Sequence, residues 1–198
     1  MSTKSFIFAS ANEHKAKEIE RMLPGGFHIQ TMKSAGYTTD IPEPFATLEE
    51  NSRHKARTLF KALSADCFAE DTGLEVEILN SAPGVLSARF AGEPKSDERN
   101  IEKLLNLLAD KKDRKARFRT VITLILKGKE YQFEGICTGT IIHTPTGNDG
   151  FGYDPVFQPD GSNRTFAQMT LDEKNQLSHR KKALSSMIQF LTQIDQSQ

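Results

Sequence analysis

The sequence predicts an α/β protein built on a mixed β-sheet with flanking helices. Two observations carry this. Strand-like and helix-like runs alternate along the first half of the chain, as in β/α units. Two long strand-like runs then face each other across Lys127-Gly128-Lys129, which reads as an antiparallel hairpin. The 198 residues suffice for a single domain spanning residues 1–198, organised as two lobes sharing one core.

The elements follow in order. Lys4 to Ala9 is a compact run of aromatic and branched residues, hence a short buried strand. From Asn12 to Leu23 the residues Ala16, Ile19 and Leu23 recur at helical spacing, and Pro24-Gly25-Gly26 stops the helix. Phe27 to Thr31 is a second strand, and Gly36 to Pro44 is a loop. A helix from Leu48 to Leu63 places Ser52, Ala56, Leu59, Phe60 and Leu63 on one face. Asp66 to Ala69 reads as a strand ending at Glu70-Asp71-Thr72-Gly73. Leu74 to Leu79 reads as another strand, turned by Ala82-Pro83-Gly84. Ile101, Leu104, Leu105 and Leu108 share one face of a helix from Asp97 to Leu108. Phe118 to Leu126 and Tyr131 to Ile142 form the hairpin, and a Gly/Pro/Thr-rich loop from Thr144 to Gly150 delivers Phe151. The last helix, about Ser178 to Ile194, turns Ala183, Leu184, Met187, Ile188 and Leu191 inward.

Composition excludes several classes. Lys+Arg and Asp+Glu are both 26, so the formal charge is zero, which argues against a module gripping nucleic acid through its phosphates. The basic run Lys111, Lys112, Arg114, Lys115, Arg117, Arg119 has Phe118 alone as an interleaved aromatic, and reads as a solvated helix end plus an outward strand face. Cys67 and Cys137 fit no metal-ligand spacing and suit a reducing compartment. The N-terminus meets charge too early for a signal peptide, and the longest apolar stretch, around Val121 to Leu126, is too short for a bilayer. The expectation is a cytoplasmic protein with neither membrane nor nucleic-acid partners.

Two segments carry chemistry. Phe151-Gly152-Tyr153-Asp154-Pro155, with Lys174 and Ser178-His179-Arg180, supplies a flat apolar face with donors and acceptors, the groups a nucleobase needs. Core aromatics and helix capping account for the same residues one at a time. Ser10-Ala11-Asn12-Glu13-His14-Lys15 lies between a strand and a helix, where exposed N–H groups and the helix dipole hold anions. Ser10 also fits a plain N-cap with Glu13 three residues on. Asp71 and Glu70 at the end of a strand are hard ligands for Mg²⁺, and one of them can take a proton from water. Adjacent strand residues point to opposite faces, so both reach one metal only where the strand has ended. Asp-Thr-Gly turn chemistry is the alternative. Thr47-Leu48-Glu49-Glu50 reads as a capping box, and Lys55, one turn beyond, reaches either Glu50 or a phosphate.

Taken in order, these blocks resemble the inosine triphosphate pyrophosphatase family, hydrolases of non-standard purine nucleoside triphosphates. The likeness runs nearly end to end. It covers Ser10 to Lys15, Glu50-Asn51 with Lys55-Ala56, Glu70-Asp71-Thr72-Gly73-Leu74, Ala82-Pro83-Gly84 with Ser87-Ala88-Arg89-Phe90, Gly150 to Pro155, Glu173-Lys174 and Ser178-His179-Arg180. Phe-Gly-Tyr-Asp makes it closer to bacterial members, which often carry two aspartates where this chain has Glu70-Asp71. The resemblance implies an elongated fold of two lobes with a central cleft, a homodimer, and Mg²⁺-dependent cleavage of the triphosphate to monophosphate and pyrophosphate. It implies Asp71 as general base and metal-associated carboxylate, with Glu50 and Glu70 completing the acidic set. Ser10, Asn12, Lys15 and Lys55 would hold the polyphosphate, with Thr72 beside them. Phe151 would stack on the purine, flanked by Gly152 and Tyr153, while Asp154, Lys174, His179 and Arg180 surround its edge and sugar.

Selectivity then has a physical form. Hypoxanthine and xanthine present an acceptor oxygen at C6 where adenine presents a donor, so a donating site penalises adenine. Arg180, a permanent donor, is the preferred reader of that oxygen, ahead of His179. Two alternatives are a pyrimidine-acting pyrophosphatase of the septum-formation Maf type, and a nucleotide sensor without turnover. Glu-His-Lys after the first strand speaks against the former, and the acidic set against the latter.

Overall fold

The protein is described by a computed structural model covering residues 4–10 and 12–196. Ala11, inside the Ser10–Lys15 segment, lies outside the described residues, as do both chain ends. The strands are β1 (Lys4–Phe8), β2 (Phe27–Thr31), β3 (Cys67–Val76), β4 (Pro83–Gly84), β5 (Lys115–Leu126), β6 (Lys129–Ile141) and β7 (Phe157–Pro159). The helices are α1 (Glu13–Met22), α2 (Leu48–Leu63), α3 (Asp97–Leu107), α4 (Leu171–Leu177) and α5 (His179–Gln196). The strands join in the order β2-β1-β3-β5-β6-β7, with β4 on β3. β1 runs parallel to β2 and β3, while β4 and β7 pair antiparallel with β3 and β6. The sheet is therefore mixed, and the α/β class read from the sequence is observed. Among the described residues no helix is long and apolar enough to cross a membrane.

The chain groups into two compact units. The first holds the residues up to Asp71, Thr120–Gly135 and those from Arg180 onward; the second holds Thr72–Arg119 and Ile136–His179. In the first unit, strand alternation sorts apolar residues into two clusters, one per sheet face. Phe6 and Phe8 of β1 and Phe68 of β3 pack with Ile19 of α1 and Leu184 and Met187 of α5. Ala9, Cys67 and Ala69 pack with Ala56 and Leu59 of α2. Ser52 and Thr123 share a buried hydroxyl hydrogen bond of 2.7 Å, which fixes α2 to β5. In the second unit, Ile101 and Leu104 of α3 pack with Leu108, Phe118, Ile141, Tyr153, Phe157 and Phe166.

Several sequence expectations change. β3 does not stop at Glu70-Asp71 but continues to Val76, absorbing the predicted second strand. Gly73 permits this: a Cβ there would lie 2.6 Å from the Gly84 carbonyl oxygen, so β4 can approach closely only past a glycine. Lys127 and Gly128 both have positive φ, 49° and 76°, as a two-residue hairpin turn of right-handed twist requires. Arg114 is not solvated; its guanidinium is buried and donates to the carbonyls of Leu108 (2.6 Å) and Ile141 (2.7 Å). The cap of α1 is Asn12 rather than Ser10. β7 and α4 were not read from the sequence, although Thr170 and Glu173 form a capping box at the start of α4.

Candidate active site

The continuous β3 sends the paired acids to different partners, because consecutive strand residues point to opposite faces. Glu70 is fully buried and meets two cations. Its Oε2 accepts from Arg180 Nε at 2.8 Å, and its Oε1 accepts from Arg180 Nη2 at 3.1 Å and pairs with Lys15 Nζ at 3.0 Å. Burial alone would raise its pKa, but Arg180 and Lys15 outweigh it and hold the carboxyl far below the usual carboxylate range. Asp71 turns instead to Lys55, whose Nζ lies 3.4 Å from Oδ1. Lys55 also pairs with Glu43. Burial disfavours the charged ammonium of Lys55, yet Asp71 and Glu43 prevail and raise its pKa.

Asp71 is the chemically distinctive group of the first unit. Its side chain is only 7% exposed, and Oδ2 has no hydrogen-bond partner. Burial raises its pKa; Lys55 opposes that and the Glu43 charge adds to it, with a net rise. A buried carboxylate with an open oxygen and a raised pKa is suited to take a proton.

The expected three-carboxylate metal set is not assembled. Among the described residues no three His, Cys, Asp or Glu side chains are gathered to hold a metal ion. Glu70 is engaged by Lys15 and Arg180, and Glu50 is exposed in the first turn of α2, where Thr47 is the cap and donates from Oγ1 to Glu50 Oε2 at 2.9 Å. The open Asp71 Oδ2, with Glu43 beside it on Lys55, does fit a hard cation that takes one or two carboxylates and completes its shell with phosphate oxygens. Glu43 was missed in the sequence. Its signal is Pro42-Glu43-Pro44, in which two prolines restrict the backbone on either side of an acid.

The N-terminal anion segment is formed by local hydrogen bonds. Asn12 Oδ1 accepts from Lys15 N at 3.2 Å, and Ser10 Oγ accepts from Asn12 N at 3.1 Å. Ser10 and Asn12 also line a cavity of about 520 Å³ with Lys17, Lys33 and Tyr37. Lys15 keeps 17% of its side chain exposed while held on Glu70.

The second unit gathers the aromatic set. Phe151 is half-buried, and Lys174 Nζ sits 4.7 Å from its ring centroid, a cation–π contact. Asp154 ties this loop together: Oδ2 accepts from Phe151 N at 2.9 Å and from Lys174 Nζ at 2.7 Å. Gly150 is required here, since its φ is +81° and a Cβ would meet Asp154 Oδ2 at 2.1 Å. Gly152 N donates to Asp97 Oδ2 at 2.6 Å, a second anchor that sequence reading missed. Tyr153 is in the core, its hydroxyl donating to the Ser87 carbonyl at 2.9 Å, so it supports the loop from beneath. His179 is buried and stacks on Phe118, with centroids 4.7 Å apart and planes 18° apart. Thr72 is half-buried in β3, next to Asp71.

Arg180 has partners that the sequence did not show. Assigned from sequence to the base edge, it belongs to the first unit, where it is buried and donates to Glu70 and Glu18. A guanidinium donating from three nitrogens to two carboxylates is an electrostatic hub.

These blocks find their match in known proteins. The model of the Ham1 family matches residues 6–190. The chain belongs to the Ham1 family. A relative from Flavobacterium psychrophilum, called dITP/XTP pyrophosphatase, is 49% identical over 93% of this chain and 97% of its own. A solved Ham1 protein from Staphylococcus aureus is 39% identical, with a TM-score of 0.86 over 96% of this chain and 98% of that one. One from Coxiella burnetii is 36% identical, with a TM-score of 0.88 over 98% of this chain and 100% of its own.

Proposed function

We propose that this Ham1-family chain is a nucleoside triphosphate pyrophosphatase that cleaves inosine- and xanthosine-type triphosphates, ribo and deoxy, to monophosphate and pyrophosphate. The observation that carries the reading is Asp71, a buried carboxylate of raised pKa with an unpartnered oxygen, set against the ammonium of Lys55. In this reading Asp71 takes the proton of the attacking water, and Lys15 and Lys55 balance the negative charge that builds on the departing pyrophosphate. Asp71 and Glu43 are the residues that would hold Mg²⁺. When bound, that ion supplies charge neutralisation on the phosphate oxygens. Phe151 stacks on the purine, and Lys174 and His179 serve its edge; the relative named dITP/XTP pyrophosphatase supports that choice of base. A cytoplasmic homodimer that removes these nucleotides before DNA or RNA synthesis completes the proposal, supported by the family resemblance.

The test is direct. The purified protein is incubated with Mg²⁺ and ITP, XTP, ATP, GTP or UTP, and pyrophosphate release is measured. Pyrophosphate from ITP and XTP well ahead of ATP is expected. Comparable rates on ATP and ITP, or orthophosphate as the product, overturn the proposal.

A further inference from the structure

We propose that Glu18 is a positioning residue for Lys15, acting through Arg180 and Glu70. Lys15 and Glu18 lie three apart on α1, on neighbouring positions of the helix surface. Yet Glu18 is 3% exposed and points inward, where a lone carboxylate is costly. It is paired with Arg180 Nη1, while Arg180 Nε and Nη2 grip the two oxygens of Glu70 at 2.8 and 3.1 Å. The Glu70 oxygen that takes Nη2 also takes Lys15 Nζ at 3.0 Å. Two acids and two bases from α1, β3 and α5 thus form one buried chain of contacts ending at a lysine that still reaches solvent.

The geometry gives each member a distinct task. Glu70 holds the Lys15 ammonium, Arg180 fixes the plane of Glu70 with its rigid fork, and Glu18 fixes Arg180 from the opposite side. A lysine has four rotatable bonds, and this chain selects one aim before substrate arrives. A purely electrostatic role for Glu18 predicts the reverse of a positioning role. Removing a negative charge from near Lys15 would tighten anion binding, whereas loosening the Arg180–Glu70 frame weakens it.

The inference rests on Lys15 being a phosphate ligand, so the experiment separates the two claims. Ki for inorganic pyrophosphate and KM and kcat for ITP are measured with Mg²⁺ for the full chain, Glu18→Gln, Lys15→Met and the double variant. Glu18→Gln is expected to raise Ki and KM by about tenfold while kcat changes much less, and to add under about twofold in the Lys15→Met background. Tighter or unchanged binding in Glu18→Gln, or the same loss in both backgrounds, overturns the positioning role. Unchanged binding in Lys15→Met instead overturns the phosphate role of Lys15 itself. Should Glu18→Gln not fold, Glu18→Asp enters the same cycle; it keeps the charge but is one methylene short of Arg180, and the same outcomes decide.

Discussion

The two units differ in the kind of side chain they bury. The first places charged side chains in its interior: Lys15, Glu18, Glu70 and Arg180 in one chain of contacts, and Glu43, Lys55 and Asp71 in another. The second places rings there, with Phe118 against Phe157, Phe166 and His179, and uses Asp154 and Lys174 to hold the backbone and one face of Phe151. A polyphosphate calls for cations that are aimed in advance, and buried counter-charges aim them. A base calls for flatness and shape, which stacked rings and a tethered loop provide. On this comparison, substitutions in the first unit act on the chemical step and on charge, and substitutions in the second act on affinity for the base.

The largest effect is expected at Asp71. Asp71→Asn keeps the size of the side chain but removes the proton acceptor, so kcat should fall by about a thousandfold while nucleotide affinity stays within about threefold. Single-turnover pyrophosphate release and equilibrium nucleotide binding measure the two quantities. A rate near that of the unaltered protein removes Asp71 as the base.

Next comes Arg180→Ala, which removes the guanidinium paired with buried Glu70 and Glu18 and should cost about 3–5 kcal/mol of stability. Glu70 has a depressed pKa in the folded protein, so its contribution is present above the unfolded value of about 4.3 and lost as pH falls toward the folded one. The unaltered protein should therefore lose melting temperature below about pH 5 more steeply than the variant. Rates on ITP and ATP should change by one common factor. A loss confined to ITP would return Arg180 to the base edge.

Phe151→Ala tests the other side of the comparison. Loss of a stacking platform is expected to weaken ITP binding by about 1–3 kcal/mol. Inorganic pyrophosphate, which has no base, should inhibit the variant as well as it inhibits the unaltered chain. If pyrophosphate binding falls in parallel, the division of labour between aromatic and charged sets is wrong.

How much was legible in the sequence follows from the same division. Local rules located β2 and α2 to the residue, because apolar spacing and the Thr47 cap are written in consecutive positions. The course of β3 was not legible: Asp-Thr-Gly looks like a turn, but Leu74 and Glu75 pair with Gly84 and Pro83 of β4, an approach that Gly73 leaves room for. That one misreading carried into the site. A strand ending at Asp71 allows Glu70 and Asp71 to share a metal, and a strand passing through them sends Glu70 to Arg180. Glu18 hid among the polar positions of α1, since its partner is 162 residues away in sequence. Asp97 and Gly152, 55 apart, escaped for the same reason. The aromatic set was easier, because Phe151, Asp154 and Lys174 lie close together in the chain.

The smallest expected effect is also the most specific to the geometry around Asp71. A general base works deprotonated, so activity should rise with pH through the Asp71 pKa, and the raised value puts that acid limb above the ordinary aspartate figure of about 3.9. Burial is the main cause, followed by Lys55, which opposes the rise, and Glu43, which adds to it. Glu43→Gln removes a negative neighbour, eases deprotonation and should move the acid limb of kcat/KM to lower pH. Lys55→Met removes the stabilising cation and should move it to higher pH. Both variants will lose absolute rate, but a limb position is independent of amplitude. Shifts of opposite sign from two side chains that pair with each other assign the limb to the carboxylate that shares Lys55 with Glu43. Shifts of the same sign, or none, place the titrating group elsewhere.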